Sequence, residues 1–360
     1  MADEILTAAA QFFAAAAIRD IRAHGSGRVN ETFLVTAGDD GGRFILQRLS
    51  PAVFARPEWI MANLRVVEDH VRQKLRREPC TGFIMAQIRQ TLDGRDFYRD
   101  SEGACWRMLH FIAGSRTFDT VQSPLQAAEA GRILGRFHRL ISDLDPALLH
   151  DTLPGFHITP AYLARYDEVA AAGRQNTADI RYCHEFVARR RDTVHVLENA
   201  RRKGELVLRP IHGDPKLSNI LFDENSGLAV SLIDLDTVKP GLIHYDIGDC
   251  LRSCCNTLGE EASPADVYFD TTLCRLILQS YLAEACLFLT PHDRRYFYDA
   301  ARLIPFELGL RFFTDFLAGN IYFKTSSPEQ NLHRALAQFA LTASIEKQQP
   351  EIARIISEVI

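Results

Sequence analysis

No stretch of this 360-residue chain is apolar for long enough to span a bilayer, which argues against a helical membrane protein. No long basic run occurs either. With a net charge of −5, neither a nucleic acid nor an anionic membrane surface is the expected partner. The two short basic clusters, Arg189-Arg190-Arg191 and Arg201-Arg202-Lys203, lie in helix-like sequence and are expected on solvated faces. None of the eight cysteines forms a C-x-x-C pair, so a zinc site or redox motif is not expected. Most of them sit in apolar stretches as small hydrophobes, and free thiols in this number suit a reducing cytoplasm. The Ala-rich opening lacks the positive start of a signal peptide. Asp3 and Glu4 stand there, Gln11 interrupts the apolar run, and Arg19-Asp20 ends it, which predicts an amphipathic helix up to about Ile18. There is no internal repeat, long linker or low-complexity tract.

What is present is concentrated in one place. His212-Gly213-Asp214-Pro215-Lys216-Leu217-Ser218-Asn219 reads H-x-D-x-K-x-x-N. Directly behind it come an apolar strand (Ile220, Leu221, Phe222), a turn from Asp223 to Gly227, and a second apolar strand ending in Asp234. Apolar strands that end at polar groups build sites rather than solvated faces. Phosphoryl transfer requires a carboxylate aimed at the acceptor hydroxyl and hard oxygen ligands for magnesium across the phosphates. Asp214 suits the first requirement, and Asn219 and Asp234 suit the second, so ATP and Mg2+ are the expected cofactors. Lys216 is placed to neutralise charge on the moving phosphoryl group, a solvated loop lysine being the competing reading. Asp236 is either a second metal ligand or an acceptor for backbone donors. His212 is expected to pack beneath the loop and bond to backbone. Asp246 and Asp249, after Gly241, are expected to cap a helix or brace the loop.

The rest of the chain divides by pattern. Glu31 to Thr36 and Arg43 to Leu49 are β-prone runs around Gly38-Asp39-Asp40-Gly41-Gly42, a hairpin signal. Ile60, Leu64, Val67 and Val71 recur at helical spacing between Pro57 and Arg77. Phe83 to Thr91, Arg95 to Arg99 and Ala104 to Ile112 complete a five-stranded antiparallel set. Beyond Gly114-Ser115 the sequence is mainly helical. Ser123-Pro124 opens a helix to about Leu144, and further helices are predicted over 160–172, 177–200, 247–258, 265–288, 291–317 and 328–347. Gly25-Ser26-Gly27 lies between strand-like stretches, where backbone amides can approach phosphates; a bare G-x-G also suits a simple hairpin turn.

The catalytic loop resembles that of the aminoglycoside phosphotransferase and choline kinase superfamily, which carries H-G-D where protein kinases carry H-R-D. Further strings make the chain most similar to the bacterial N-acetylhexosamine 1-kinases. They are Gly27-Arg28-Val29-Asn30-Glu31-Thr32-Phe33, Phe44-Ile45-Leu46-Gln47-Arg48-Leu49, Leu232-Ile233-Asp234-Leu235-Asp236-Thr237, Asp246-Ile247-Gly248-Asp249 with Leu251-Arg252-Ser253, Glu307-Leu308-Gly309-Leu310-Arg311-Phe312, and Tyr322-Phe323-Lys324. The resemblance implies an α+β, protein-kinase-like fold. Its small antiparallel β lobe (1–112) would bind ATP, and its larger helical lobe (113–360) would carry the catalytic loop and the acceptor site.

By the same resemblance, Arg48 is the phosphate-contacting cation, with a surface charge on an edge strand as the alternative. Glu68 on the following helix is its candidate partner, and adenine meets the backbone near His110-Phe111-Ile112. Asn30, Arg311 and Tyr322 are implied to reach sugar hydroxyls beside Asp214. A buried pair with Glu307, one helical turn away, is the competing reading of Arg311. Where the subfamily string has histidine after the glycine, this chain has Arg28. The implied reaction is ATP- and Mg2+-dependent phosphorylation of the anomeric hydroxyl of N-acetylglucosamine or N-acetylgalactosamine. Aminoglycosides and choline are the alternative acceptors. A cationic acceptor calls for an acidic or aromatic cage, yet the segment 302–324 carries Arg302, Arg311 and Lys324 against Glu307 and Asp315. A binding module that has lost its chemistry is disfavoured, because Asp214, Asn219 and Asp234 are all intact.

Overall fold

Strand alternation decides what each face of the first sheet packs against. The computed structural model describes residues 2–25, 29–38, 40–77, 82–172 and 177–359. Its first part contains α1 (Ala2–Ala9), β1 (Ile18–Ala23), β2 (Glu31–Ala37), β3 (Gly42–Leu49), α2 (Pro57–Arg77), β4 (Ile88–Arg89), β5 (Tyr98–Arg99) and β6 (Cys105–His110). These strands form one antiparallel sheet in the order β1-β2-β3-β6-β4, with β5 also on β6. Phe44, Leu46, Trp106 and Met108, joined by Val35 and Ala37, point to one face and bury Ala8, Ala9, Phe12 and Phe13. The register sets Ile45 beside Leu109 and Gln47 beside Arg107 on the opposite face. The opening helix is shorter than its sequence suggests. It stops at Ala9 because Phe12 and Phe13 must turn onto the sheet and Ile18 already pairs with Ala37.

The second part runs β7 (Ser115–Arg116), α3 (Pro124–Ile141), α4 (Thr159–Ala172), α5 (Ala178–Ala188), α6 (Val196–Arg202), β8 (Arg209–Ile211), β9 (Ile220–Asp223), β10 (Ala229–Leu232), β11 (Lys239–Gly241), α7 (Ile243–Cys254), α8 (Thr271–Ala285), α9 (Pro291–Arg295), α10 (Phe297–Leu317), α11 (Gln330–Lys347) and α12 (Gln349–Val359). Two small sheets, β10-β9-β7 and β11-β8, hold the segment around residue 214. This is the protein-kinase-like arrangement of an antiparallel sheet lobe and a helical lobe. Ser123 caps α3 by accepting the Gln126 N–H at 3.3 Å, with Pro124 at the first helical position. The helix expected over 177–200 is broken after α5. There Arg190 lies over the Phe186 ring and pairs with Glu346 at 2.6 Å, so that part of the basic cluster is half-buried rather than solvated. The seven cysteines within the described residues are free, and all but Cys286 are buried; Cys80 lies outside them.

Helix α10 is apolar on most sides, with Ile304, Phe306, Leu310, Phe312 and Phe313 all buried, as befits a helix at the centre of its lobe. The closest helix contact joins α3 to α8. A Cβ built on Gly131 would sit 2.1 Å from the Ile277 carbonyl oxygen, and one on Gly135 would sit 2.6 Å from that of Tyr281. These two glycines, one turn apart, let the backbones touch while Ile133, Leu134 and Phe137 fill the sides. Helix propensity alone would make Gly131→Ala stabilising by about 1 kcal/mol. The clash with main chain should win, costing ~1–3 kcal/mol net, measured as a lower urea midpoint at unchanged m-value.

Candidate active site

The segment 212–219 is held by side chains from four directions. Asp246, buried in the first turn of α7, accepts the His212 N–H at 2.7 Å and the Gly213 N–H at 2.8 Å. The Thr237 hydroxyl donates to the His212 carbonyl at 2.9 Å. Ser253 Oγ accepts the Leu217 N–H at 2.9 Å, and the His212 ring, fully buried, bonds the Ile233 carbonyl at 3.0 Å. Gly213 adopts φ +88°, and a Cβ there would lie 2.6 Å from the Thr237 carbonyl. Only glycine fits. Asp249, the other expected brace, pairs instead with Arg252 at 2.8 Å.

This frame presents Asp214. Its Oδ2 accepts from Lys216 Nζ at 2.6 Å and from Asn219 Nδ2 at 3.1 Å. Burial alone would raise the Asp214 pKa. The Lys216 ammonium and its hydrogen bond, helped by His212 and Arg252, outweigh burial and hold it below the ordinary carboxylate value. Lys216 is likewise raised, with Asp214 and Asp234 overcoming desolvation. It is therefore an ion-paired cation over the carboxylate and not a solvated loop lysine.

Strand β10 ends at Leu232, two residues short of Asp234, which takes up a left-handed conformation (φ 62°, ψ 56°). That geometry is costly for a non-glycine residue and turns the Asp234 carboxylate out into the cleft. The cleft walls desolvate it, and the negative charges of Asp236 and Asp214 add to that, outweighing Lys216 and Arg107, so its pKa rises to about 7. A carboxylate short of countercharge fits a hard divalent cation, and the Ile233 N–H on the Asn219 carbonyl at 2.9 Å ties its segment to that of Asn219. Among the described residues no three His, Cys, Asp or Glu side chains converge on a metal-binding group. Magnesium needs none, since it is held by one or two protein oxygens together with phosphate oxygens.

Asp236 does not share a strand face with Asp234. It lies in the turn that follows, where Arg107 Nη2 reaches its Oδ1 at 2.6 Å and Asn30 Nδ2 donates to its Oδ2 at 2.7 Å. Its partners are thus side chains, not backbone donors. Asn30 also accepts the Ser50 N–H at 3.0 Å, so it stands in the cleft as a link between the two parts of the chain.

Two expectations for the nucleotide side are corrected. Arg48 sits on the α1 face of the sheet, over the Trp106 ring and within 3.4–3.8 Å of Glu4, Glu31 and Glu102. Strand alternation sends the neighbouring Gln47 to the cleft face instead, where it accepts two hydrogen bonds from Arg107 at 2.8 and 3.0 Å. Glu68 does not meet Arg48. It is buried, pairs with Arg72 and Arg65, and accepts the Ile88 N–H at 3.1 Å. At the end of β6 the His110 N–H goes to the Gln87 carbonyl and the Phe111 N–H to that of Arg43, so those two amides are engaged within the sheet lobe, and the expected adenine contact falls to the carbonyls of this segment and to Ile112. Gly25 occupies a left-handed turn (φ 73°) after β1, while Gly27 and Arg28 lie outside the described residues.

Opposite Asp214 the acceptor-side residues converge. The Arg311 guanidinium lies 5.0–5.9 Å from the ring centres of Phe156, Tyr162, Tyr322 and Phe323. Burial lifts the Tyr162 phenol to about 12 despite that cation. Glu307 is not the partner of Arg311. Its carboxylate is bound by His157 at 3.0 Å and Thr159 at 2.7 Å, and among the described residues Arg311 has no ion pair. Tyr322 is placed by Asp315, which accepts the N–H groups of Ile321, Tyr322 and Phe323 at 2.8–2.9 Å. Arg107, His157 and Asp315 were not singled out from sequence. Their partners lie 6 to 150 residues away and no motif surrounds them.

The buried Arg107–Asp236 pair has a measurable consequence. Arg107→Met strands a buried carboxylate and should cost about 3–5 kcal/mol of stability. The half-exposed Arg48→Ala should cost less than about 1 kcal/mol. Urea unfolding of the two variants checks the difference, and equal losses would contradict the assignment of faces.

The profile of the phosphotransferase enzyme family (APH) matches residues 20–273. Among solved structures, an aminoglycoside phosphotransferase from Alicyclobacillus acidocaldarius is similar at 18% identity and a TM-score of 0.63, over 98% of this chain and 95% of that one. A choline kinase from Cryptosporidium parvum is similar at 13% identity and a TM-score of 0.59, over 99% and 98%. A spectinomycin phosphotransferase solved with ADP and spectinomycin is 10% identical with a TM-score of 0.54, over 92% and 93%. The family profile runs through the loop that presents Asp214 and through the strand pair that leads to Asp234, and the chain belongs to the phosphotransferase enzyme family.

Proposed function

We propose that this chain transfers the γ-phosphoryl group of ATP to the anomeric hydroxyl of an N-acetylhexosamine, glucosamine- or galactosamine-type, giving the sugar 1-phosphate. The observation that carries the acceptor is Arg311. Phe156, Tyr162, Tyr322 and Phe323 form the kind of aromatic cage that would receive a cationic acceptor, but the chain's own guanidinium fills it. An ammonium acceptor would meet a like charge there. A neutral, hydroxyl-rich acceptor instead offers oxygens to the guanidinium donors and an apolar ring face to the aromatics. Use of ATP is supported by the family and by the ADP found in the spectinomycin phosphotransferase.

In this reading Asp214, ionised at neutral pH, accepts a hydrogen bond from the acceptor hydroxyl and takes its proton as the new oxygen–phosphorus bond forms. The bond from the γ-phosphorus to the β–γ bridging oxygen breaks in the same step, and ADP leaves. Lys216 shifts from the carboxylate toward the moving phosphoryl oxygens as Asp214 is neutralised. Asn219 and Asp234 would hold magnesium, whose chemistry is to neutralise charge on the phosphates.

Asp214→Asn keeps the shape and removes the proton acceptor, so kcat should fall by about 10²–10⁴-fold with ATP affinity nearly unchanged. Calorimetry beside steady-state kinetics reads both, and near-normal turnover would remove Asp214 from the mechanism.

Arg311→Ala should lower kcat/KM for the hexosamine by about tenfold to a hundredfold, the worth of a charged hydrogen bond of ~1.5–3 kcal/mol, with little change in the KM for ATP. Phosphorus NMR should show a sugar 1-phosphate. A 6-phosphate, or preferred turnover of choline or an aminoglycoside in a screen of acceptors, would overturn the acceptor while keeping the kinase.

A further inference from the structure

The catalytic loop has one further contact, from a residue that neither the loop motif nor the metal-fitting pair includes. His157 Nε2 lies 2.7 Å from the Gly213 carbonyl oxygen, and Nδ1 lies 3.0 Å from Glu307 Oε1. The ring is buried, stacked at 5.3 Å on Tyr245 and tilted against Phe156 at 4.0 Å. A carbonyl oxygen only accepts, so Nε2 carries a hydrogen. An ionised carboxylate also only accepts, and the other oxygen of Glu307 already receives the Thr159 hydroxyl at 2.7 Å. Two donors on one imidazole make an imidazolium. Its backbone holds φ 66°, a conformation that side chains larger than glycine's avoid unless their surroundings require it.

We propose that His157 is a positioning residue. As an imidazolium held by Glu307, it clamps the Gly213 carbonyl and so fixes the peptide that aims Asp214, joining the base to the wall of the acceptor pocket. This rests on Asp214 being the base. The join to the pocket is direct on both sides. Phe156, adjacent in sequence, lies over Arg311, and Glu307 is one turn before Arg311 on α10. An acceptor that shifts Arg311 therefore bears on the clamp.

The charges around the ring agree. Desolvation would lower the His157 pKa, but Glu307 from α10 overcomes it, with Asp249 from α7 and the Gly213 carbonyl adding to the effect, and the result lies above the ordinary histidine value. Asp249 is itself paired with Arg252; Asp214 follows Gly213 in the loop, and Arg311 lies on the pocket side. The sign follows. A group whose pKa is raised on folding keeps its contribution below the unfolded value of about 6.5 and loses it as pH climbs through the folded value. The clamp is thus complete below about pH 6.5 and is lost as pH climbs through the folded value above it.

The test combines spectroscopy with kinetics on the full chain. Nitrogen-15 NMR of histidine-labelled protein, assigned by difference with His157→Gln, should show both ring nitrogens of His157 protonated at pH 7. A neutral imidazole there overturns the proposal. His157→Gln should lose about tenfold to a hundredfold in kcat with an unchanged KM for ATP, as expected for a misaimed base. Glu307→Gln, the second variant should the first fail to fold, should move the alkaline limb of kcat to lower pH. Wild-type kcat in His157→Gln beside a dead Asp214→Asn enzyme overturns the clamp. An active Asp214→Asn enzyme overturns the base assignment on which the clamp rests, whereas the NMR titration judges the charge on His157 without reference to turnover.

Discussion

The Asp246 carboxylate sets the position of everything else in the cleft. It is buried, and burial opposes its charge, yet the hydrogen bond and field of His138, with His212 and the Gly213 amide, hold its pKa below the ordinary value. His138 bonds Asp246 at 2.8 Å on one side and the Tyr281 hydroxyl at 2.9 Å on the other. One carboxylate therefore ties the loop that carries Asp214 to α7, α3 and α8 together. That anchorage has a geometric precondition. Helices α3 and α8 must approach closely enough for His138 and Tyr281 to meet, and Gly131 and Gly135 allow it. Packing deep in the helical lobe and the aim of a side chain at its surface are thus one constraint.

The cleft then sorts its negative charges by giving each a different amount of compensation. Asp214 has Lys216, Asp236 has Arg107 and Asn30, and Asp246 has His138. Asp234 is left with the least, since Asp236 and Asp214 add negative charge to its desolvation and only Lys216 and Arg107 oppose them. A site of this kind attracts a divalent cation through an imbalance of charge rather than through a preformed cage. The Arg107–Asp236 contact has a second effect, since this buried ion pair, with the Asn30 hydrogen bond to the same carboxylate, joins the sheet lobe to the helical lobe.

The acceptor side uses the same economy of parts. Helix α10 carries Glu307, Arg311 and Asp315 at four-residue intervals along one stripe. The first holds His157, the second faces the aromatic rings, and the third fixes the segment that brings Tyr322 to them. A mutation that rotated this helix would disturb His157, the aromatic rings around Arg311 and the segment 321–323 together.

The sequence by itself determined the chemistry. His212 to Asn219 and Asp234 are close along the chain, so their types and spacing already mark the segment as the one expected to carry the chemistry, and the β-then-helical order of the elements announces the two lobes. It was less able to say which way side chains point. Arg48 was expected to meet phosphate and faces α1, because strand side chains alternate and a one-residue shift in register exchanges cleft for outer face. Gln47, its neighbour, has the cleft position. The contacts that tune the site were decided only by the tertiary structure, since Arg107 meets Asp236 and His157 meets Gly213 and Glu307 across long sequence separations. Local spacing encodes which groups can react. Only the folded packing of distant segments decides which of them are aimed, paired or left open.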